Sequence, residues 1–231
     1  LANAHSVTPR KPFSKNKIEK AYLLGFAIGD LRVRKMYKNI ETILIDCGST
    51  KKEQIKLVKS LFKHYGRAWI SKPTNAGKTH IECSVDLSFN FLLENHHKIP
   101  KWILRRKNLF AAFLSGFIDA EGSIFISKGK AAYSLGNYNY HLLNQIYAQL
   151  IKLGIKLKPP RRGTLKGYKD RQGYRRKADY WTLAIHRKSS LLKLFKLINP
   201  YLKHSKRKND LKKAVRNIKE RNRKFGNLRM N

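Results

Sequence analysis

An internal repeat constrains the fold of this 231-residue chain more than any other feature of its sequence. Residues 18–30 read IEKAYLLGFAIGD and residues 109–121 read LFAAFLSGFIDAE, so two apolar, helix-like segments with small residues inside them both end on a carboxylate. Asp30 and Glu121 are 91 positions apart, and the glycines that end the next amphipathic segments, Gly66 and Gly154, are 88 apart. Such similar offsets predict that one structural unit occurs twice.

Each half has the same predicted succession of a helix, two strands, a helix, two strands and a helix. Turn signals at residues 75–77, 128–130 and 171–173 separate strand candidates in which apolar and polar residues alternate. The last helices, near residues 87–95 and 189–198, precede Pro100 and Pro200. The sequence therefore predicts an α+β fold of two pseudosymmetric αββαββα halves, over residues 13–104 and 105–200. A basic arm over residues 1–12 and a basic, partly helical tail over residues 201–231 are predicted to flank them.

The charge balance indicates a polyanionic partner. The chain has 51 Lys and Arg against 14 Asp and Glu, a net charge of +37, and an isolated fold with so much like charge repels itself. Hydrophobic residues make up 42% of the chain, which argues against disorder. The longest apolar stretch, near residues 109–118, is about half of the ~20 residues that a membrane span needs.

The cysteines and the N-terminal residues bear on the compartment. Cys47 and Cys83 lack CxxC spacing, so neither a zinc site nor an oxidising compartment is indicated. Residues 1–18 contain no acid and are interpreted as a basic arm, with a transit peptide as the alternative. We expect an intracellular protein, in a prokaryotic cytoplasm or an organelle matrix, and not a secreted one.

Small residues recur on one face of both repeated helices. Glycine inside a helix costs about 1 kcal/mol relative to alanine, and yet Gly25 and Gly29 stand four positions apart in the first helix. Gly116 and Ala120 repeat that spacing in the second. Because residues four apart share a helix face, small side chains there let two backbones approach closely. The spacing predicts that the two helices pack against each other.

The carboxylates that end these helices predict a metal site. An acid at a helix C-terminus opposes the helix dipole by about 0.3–1 kcal/mol, so stability alone would favour a cation there. If the helices pair in parallel, Asp30 and Glu121 meet at the end of their interface and need a cation between them. A hard divalent ion such as Mg²⁺ fits, and paired acids among basic strands predict phosphodiester cleavage by metal-activated water. In the alternative interpretation each acid caps its helix or pairs with a lysine.

The same residues resemble a known motif. Residues 114–122, LSGFIDAEG, closely resemble the LAGLIDADG motif with Glu121 at the eighth place, and residues 23–31, LLGFAIGDL, resemble a degenerate copy that keeps Asp30 there. Over about residues 13–200, the chain is thus similar to the LAGLIDADG homing endonucleases of the single-chain, two-motif type. The resemblance implies a monomer whose two sheets straddle double-stranded DNA.

The resemblance also implies an activity and its residues. Asp30 and Glu121 would bind the divalent metal, with Mg²⁺ expected, in an intron-encoded enzyme that cuts both strands of a long target and leaves short 3′ overhangs. Asp119, at the sixth place of the second motif, would be structural. A lysine is further expected after the second strand of each half, where Lys51 fits, with Lys52 as the alternative. The second half has no lysine over residues 136–140, which leaves as open alternatives slower cutting of one strand or a contribution from Lys128, Lys130, Asn137 or Asn139.

The alternation of the strands predicts which side chains contact DNA. Apolar residues face the helices, polar ones face outward, and a two-stranded ribbon fits the major groove. For most single cations the simpler interpretation is phosphate neutralisation. The predicted contacts are Arg32, Arg34, His80, Glu82, Arg161, Arg162, Lys166, Arg175, Arg176, Lys177, Tyr180 and Thr182.

Two other functions fit parts of the sequence. An intron-encoded RNA maturase of the same fold would bind intron RNA without cleavage, and a plain basic RNA-binding or ribosome-associated protein would need no repeat. Because both eighth-place acids are present, the sequence favours cleavage of DNA over these alternatives.

Overall fold

The computed structural model describes residues 9–37, 41–94, 97–169, 173 and 175–226. Parts of the predicted arm and tail, the end of the helix predicted over residues 87–95 and most of the turn predicted at residues 171–173 lie outside these ranges. Among the described residues, no helix combines the length and the apolar character that crossing a membrane requires.

The chain divides into two compact units. The first comprises Leu1–Lys20 and Asp30–Asn95, and the second comprises Ala21–Gly29 and His96–Asn231. The first helix, α1 (Lys17–Asp30), therefore contributes its ends to the first unit and its middle to the second.

The first unit is a four-stranded antiparallel sheet backed by helices. Its strands are β1 (Arg32–Lys35), β2 (Thr42–Ser49), β3 (Arg67–Ile70) and β4 (Thr79–Asp86), in the order β1-β2-β4-β3. Helix α2 (Lys52–Phe62) joins β2 to β3, and a 3₁₀ helix (Leu87–Leu92) follows β4. The inward residues of the two central strands are buried, as are the apolar residues of α2, and these residues form the core: Ile43, Ile45, Cys47, Ile81, Cys83, Val85, Ile55, Val58, Leu61 and Phe62.

The second unit repeats this topology. Helix α4 (Lys107–Glu121), preceded by the short α3 (Lys101–Leu104), leads into β5 (Gly122–Ser127), β6 (Lys130–Asn137), α5 (Tyr140–Lys152), β7 (Arg161–Thr164), β8 (Tyr180–Ile185) and α6 (Lys188–Ile198). The strand order β5-β6-β8-β7 matches that of the first sheet. The predicted α+β fold, with two four-stranded antiparallel sheets in two halves, is confirmed.

A long basic helix, α7 (Ser205–Phe225), completes the second unit. Its apolar side, with Leu211, Ala214 and Ile218 buried, packs against β5 and β6. The Asn217 side chain accepts a hydrogen bond from the Ala131 N–H and donates one to a backbone carbonyl of the β5–β6 turn. The rest of α7 carries most of the positive charge of the tail.

The middle of α1 packs on α4 with backbone-to-backbone contact. A Cβ placed on Gly25 would lie 2.0 Å from the carbonyl oxygen of Phe113, and one placed on Gly116 would lie 2.1 Å from the carbonyl oxygen of Tyr22. No side chain fits in either place. The close helix packing predicted from the spacing of the small residues is thus present.

Candidate active site

Asp30 ends α1 and is half-buried in the first unit. Its Oδ2 accepts a hydrogen bond from Nε2 of Gln54, a buried residue of α2. The amide is a neutral donor, so it orients the carboxylate without cancelling its charge. Gln54 was not predicted from the sequence, although a polar residue among Ile55, Leu57 and Val58 on the buried side of α2 is a signal that could have found it.

Near Asp30, a cation covers Gly48, the last residue but one of β2. Arg32 pairs with Asp46 across β1 and β2, and Asp30 is the helix residue two positions before Arg32, just as Gly48 is two positions after Asp46. A Cβ placed on Gly48 would lie 2.6 Å from Cε of Lys78 and 2.8 Å from Cε1 of His80. Lys78 was also missed by the sequence analysis.

The charges of Asp30 and Lys78 both affect the pKa of Cys47. Burial, followed by the negative charge of Asp30, raises the pKa of the Cys47 thiol to about 12, and the positive charge of Lys78 acts in the opposite direction. Lys51, the lysine predicted to act in this half, is the exposed residue before α2, and its N–H donates to Oγ of Ser49 at 3.0 Å.

Glu121 ends α4 and is half-buried in the second unit. Its Cγ would be 2.8 Å from a Cβ placed on Gly29, so the small residue on α1 makes room for this side chain. Gly122 pairs with Leu135 across β5 and β6, so Glu121, the helix residue before Gly122, lies next to the end of β6 that contains Gly136. Burial and then the charge of Glu121 raise the pKa of Tyr180.

Asp119 has a structural role in the second unit. It is fully buried, and its Oδ2 accepts hydrogen bonds from Oη of Tyr22 at 2.6 Å and from the N–H groups of Lys203 and His204 at 2.7 and 3.1 Å. Burial nevertheless raises the pKa of Asp119, because desolvation outweighs these donors. The carboxylate ties the segment after α6 to the motif helix.

The chemistry of the two acids fits a hard divalent cation. Both offer carboxylate oxygens, which Mg²⁺ prefers, and Mg²⁺ typically keeps water and phosphate oxygens as its other ligands. The described part of the chain contains no cluster of three or more His, Cys, Asp and Glu side chains, so no all-protein metal cage is present there.

The predicted DNA contacts of the first half share the outward face of its sheet. Arg34 bridges two carboxylates, with Nη2 at 3.0 Å from Oε2 of Glu82 and Nε at 3.4 Å from Oδ2 of Asp46. Burial and then the charge of Asp46 raise the pKa of Glu82, and Arg34 opposes that rise. Arg32 and His80 occupy the same face, opposite Asp46 and Gly48 respectively. Asp46 was not among the predicted residues.

The second half carries its predicted contacts on β7, β8 and the segment between them. Arg162 Nη1 lies 3.1 Å from Oδ2 of Asp179, and the Lys166 N–H donates to the same carboxylate at 2.8 Å. Arg161 pairs with Thr182, which in turn pairs with Gly136. The remaining predicted residues of this half extend along the hairpin towards β8: Arg175, Arg176, Lys177 and Tyr180.

Comparison with known proteins supports the resemblance. Residues 108–199 match the family model of the LAGLIDADG-like domain. The chain is similar in structure to I-DmoI in complex with DNA and Ca, with 19% identity, a TM-score of 0.55 and coverage of 85% of this chain and 98% of that one. It is also similar to the homing endonuclease I-WcaI bound to its DNA recognition sequence, with 16% identity, a TM-score of 0.55 and coverage of 86% and 88%.

A third solved structure, which is not named as a homing endonuclease, shares the fold as well. The full-length DUF199/WhiA from Thermatoga maritima has 15% identity and a TM-score of 0.54, with coverage of 91% of this chain and 63% of that one. No curated protein matches the chain. The resemblance predicted from the motifs is confirmed, and the solved structures, at these identities, show a shared fold.

Proposed function

We propose that this chain, whose residues 108–199 match the family model of the LAGLIDADG-like domain, is a site-specific endonuclease that hydrolyses one phosphodiester bond in each strand of a long DNA duplex. The observation that carries the proposal is the matched placement of two acids. Asp30 and Glu121 are half-buried, each ends a motif helix, and the first strand of a four-stranded sheet begins within two residues of each.

A divalent cation, with Mg²⁺ expected, is proposed at each of these acids. Bound there, it would supply a more acidic water and neutralise charge on the phosphate. I-DmoI, which shares the fold, is seen in complex with DNA and Ca, and this supports a divalent ion here. Gln54 holds the Asp30 carboxylate in place for such an ion.

The outward faces of the sheets and the net charge of +37 support a duplex as substrate. Arginines on those faces suit both phosphate and the guanine edge in the major groove. We expect the chain to act as a monomer, because each half supplies its own acid and its own sheet, and we expect short 3′ overhangs.

The decisive experiment removes both carboxylate charges and keeps the side-chain shapes. The substrate is the duplex made by joining the two sequences that flank the reading frame. Asp30→Asn combined with Glu121→Gln should slow cleavage by about a thousandfold or more, since the charge contribution at such a site is several kcal/mol. Binding, measured by gel shift without metal, should stay within about threefold.

Glu53→Gln is the matched control, because Glu53 is an exposed acid in the first turn of α2. It should cleave at the unaltered rate. Chelation of the metal should stop cutting and leave binding. Continued cutting by the double variant would show that the two acids are not the metal ligands. Tight binding to the intron transcript, with no cutting of the duplex, would favour the maturase instead.

A further inference from the structure

The second half lacks the lysine expected after its second strand, and the structure shows which side chain lies there. Gly136, the last residue but one of β6, pairs with Thr182 of β8. A Cβ placed on Gly136 would lie 2.2 Å from Oη of Tyr180. The Tyr180 hydroxyl therefore lies directly over the Gly136 backbone, in space that only glycine leaves open.

Tyr180 in turn helps to hold Arg176. The Tyr138 and Tyr180 rings meet edge to face with centroids 5.1 Å apart. The guanidinium carbon of Arg176 is 5.5 Å from the Tyr180 centroid and 6.0 Å from that of Tyr138, and its Nη1 donates to Oη of Tyr138 at 2.6 Å. Two aromatic rings and a hydrogen bond thus fix this cation, whereas an exposed arginine side chain would have to be ordered on binding.

The backbone of Arg176 is fixed as well. Its N–H donates to the carbonyl oxygen of Tyr168 at 2.8 Å, and its carbonyl oxygen accepts from the N–H of Gly167 at 2.8 Å. The guanidinium is therefore presented from an anchored point of the hairpin between β7 and β8.

This cation lies at the same corner of the sheet as Glu121. Glu121 immediately precedes Gly122, which pairs with Leu135, and the Tyr180 hydroxyl lies over Gly136, the residue after Leu135. In support, burial raises the pKa of Tyr180, the charge of Glu121 raises it further and the charge of Arg176 lowers it. An acid, a phenol and a guanidinium therefore surround one small region of the second unit.

The first unit repeats the arrangement with other residues. Gly48 is likewise the last residue but one of its strand, and it is paired with His80. Cε of Lys78 lies 2.6 Å from where a Cβ on Gly48 would be, and Asp30 is two residues before Arg32, whose partner Asp46 is two residues before Gly48. In the first half the cation itself covers the glycine, whereas in the second half Tyr180 covers the glycine and Arg176 packs on Tyr180.

We propose that Arg176 in the second half and Lys78 in the first are catalytic cations that contact the scissile phosphate, each beside its own acid. The proposal rests on the endonuclease function proposed above.

In that reaction a water oxygen bonds to phosphorus, the bond from phosphorus to one deoxyribose oxygen breaks, and that oxygen takes up a proton, so that one water is added in total. The cation stabilises the negative charge that builds on the phosphate oxygens. Tyr138 and Tyr180 are positioning residues for Arg176.

The test follows each strand separately. The duplex of joined flanking sequences is labelled with a different dye on each strand and cut with Mg²⁺. Arg176→Met should slow cutting of one strand by about a hundredfold, the usual loss for one charge-stabilising donor, so that nicked duplex accumulates. Lys78→Met should slow the other strand. Arg176→Lys should recover part of the loss, because it keeps the charge and gives up the two-pronged contact.

Lys177→Met is the matched control, since Lys177 is the exposed neighbour of Arg176 on the same hairpin. Arg176→Met and Lys177→Met should each lower the slope of log binding constant against log salt by about 0.9, the contribution of one neutralised phosphate. Of these two hairpin variants, only Arg176→Met should slow one strand more than the other. Lys51→Met is compared with Lys78→Met, because both lysines are candidates for the cation of the first half.

The outcomes separate the inference from the function on which it rests. If Arg176→Met cuts both strands as fast as the unaltered protein does, the inference is wrong, although the proposed endonuclease function is supported. If Arg176→Met slows both strands equally and also lowers the melting temperature by many degrees, the role is structural and the inference is wrong. If Lys51→Met rather than Lys78→Met slows one strand, the assignment in the first half is wrong. Failure of the unaltered protein to cut with either Mg²⁺ or Mn²⁺ would contradict the proposed function itself.

Discussion

The two sheets share a strand order and matching glycines, but their outward faces differ in charge. In the first sheet, Arg34 bridges Asp46 and Glu82. When Gly48 is aligned with Gly136, the register of the second sheet puts three uncharged residues at the corresponding positions, Phe125, Ser134 and Ala184. The second sheet carries its charges instead on the hairpin between β7 and β8, whereas the corresponding hairpin of the first half is shorter.

This difference shows which positions the fold constrains. The inward residues and the glycines of close contact correspond in the two halves, because the core and the helix packing require them. The outward residues have no such requirement and have diverged. For a protein of the proposed function, we expect a target whose two halves differ in sequence, because carboxylates accept from the cytosine amino group and arginines suit guanine.

The largest effect on stability is expected at Gly25 and Gly116, the glycines through which the two motif helices contact each other. Gly25→Ala and Gly116→Ala should each lower the free energy of unfolding by about 3 kcal/mol or more, because the added methyl meets a backbone oxygen that cannot rotate away. Urea unfolding measures this. Gly77→Asn is the control, because Gly77 lies in an open turn with a φ of +71°, which asparagine tolerates. A large loss at one motif glycine and none at the other would break the equivalence of the two helices.

A smaller effect should distinguish the sixth places of the two motifs. Asp119→Ala leaves the Tyr22 hydroxyl and two backbone N–H groups without their buried acceptor, at a cost of about 2–3 kcal/mol. Asp119→Asn keeps an acceptor and should lose less, as judged by thermal unfolding. The first motif has Ile28 at this place, so the anchor belongs to the second half alone. If Asp119→Ala is as stable as the unaltered protein, Asp119 has no structural role.

Much of the fold could be predicted because its causes are local. The alternation along β4 places Ile81, Cys83 and Val85 inward, and the structure buries all three. Helix periodicity and the glycine that follows each helix predicted α2 and α5. The ends of the second hairpin in the second half were harder to predict: β7 ends at Thr164 after an irregularity in its pairing with β8, and further along the hairpin Lys169 and Arg175 form an isolated bridge.

The neighbours of the acids could not be predicted in the same way. Gln54 reaches Asp30 only because α2 packs beneath the sheet, so the contact joins residues 24 positions apart. The covering of Gly48 by Lys78, and of Gly136 by Tyr180, depends on strand register, and a change of one residue in register would turn each side chain to the other face. A sequence pattern gives the face of a residue, but not its partner across the sheet.

The smallest predicted effect compares two outward carboxylates whose pKa values are shifted in opposite directions. Burial and the nearby Asp46 raise the pKa of Glu82, so the stability contributed by Glu82 is fully present below about pH 4.3 and is lost as the pH rises through its raised value. The lowered pKa of Asp179 follows from the Lys166 N–H and the Arg162 side chain, so its contribution is present above about pH 3.9 and is lost as the pH falls. Between pH 3 and 7, the stability advantage of the unaltered protein should therefore shrink with rising pH relative to Glu82→Gln and grow relative to Asp179→Asn.

Because the Glu82 side chain is 35% exposed, its change should be only a few tenths of a kcal/mol, and 0.5 M salt should reduce both trends. Urea midpoints across this pH range measure both differences, and parallel trends would show that the two halves do not differ in their surface electrostatics as described.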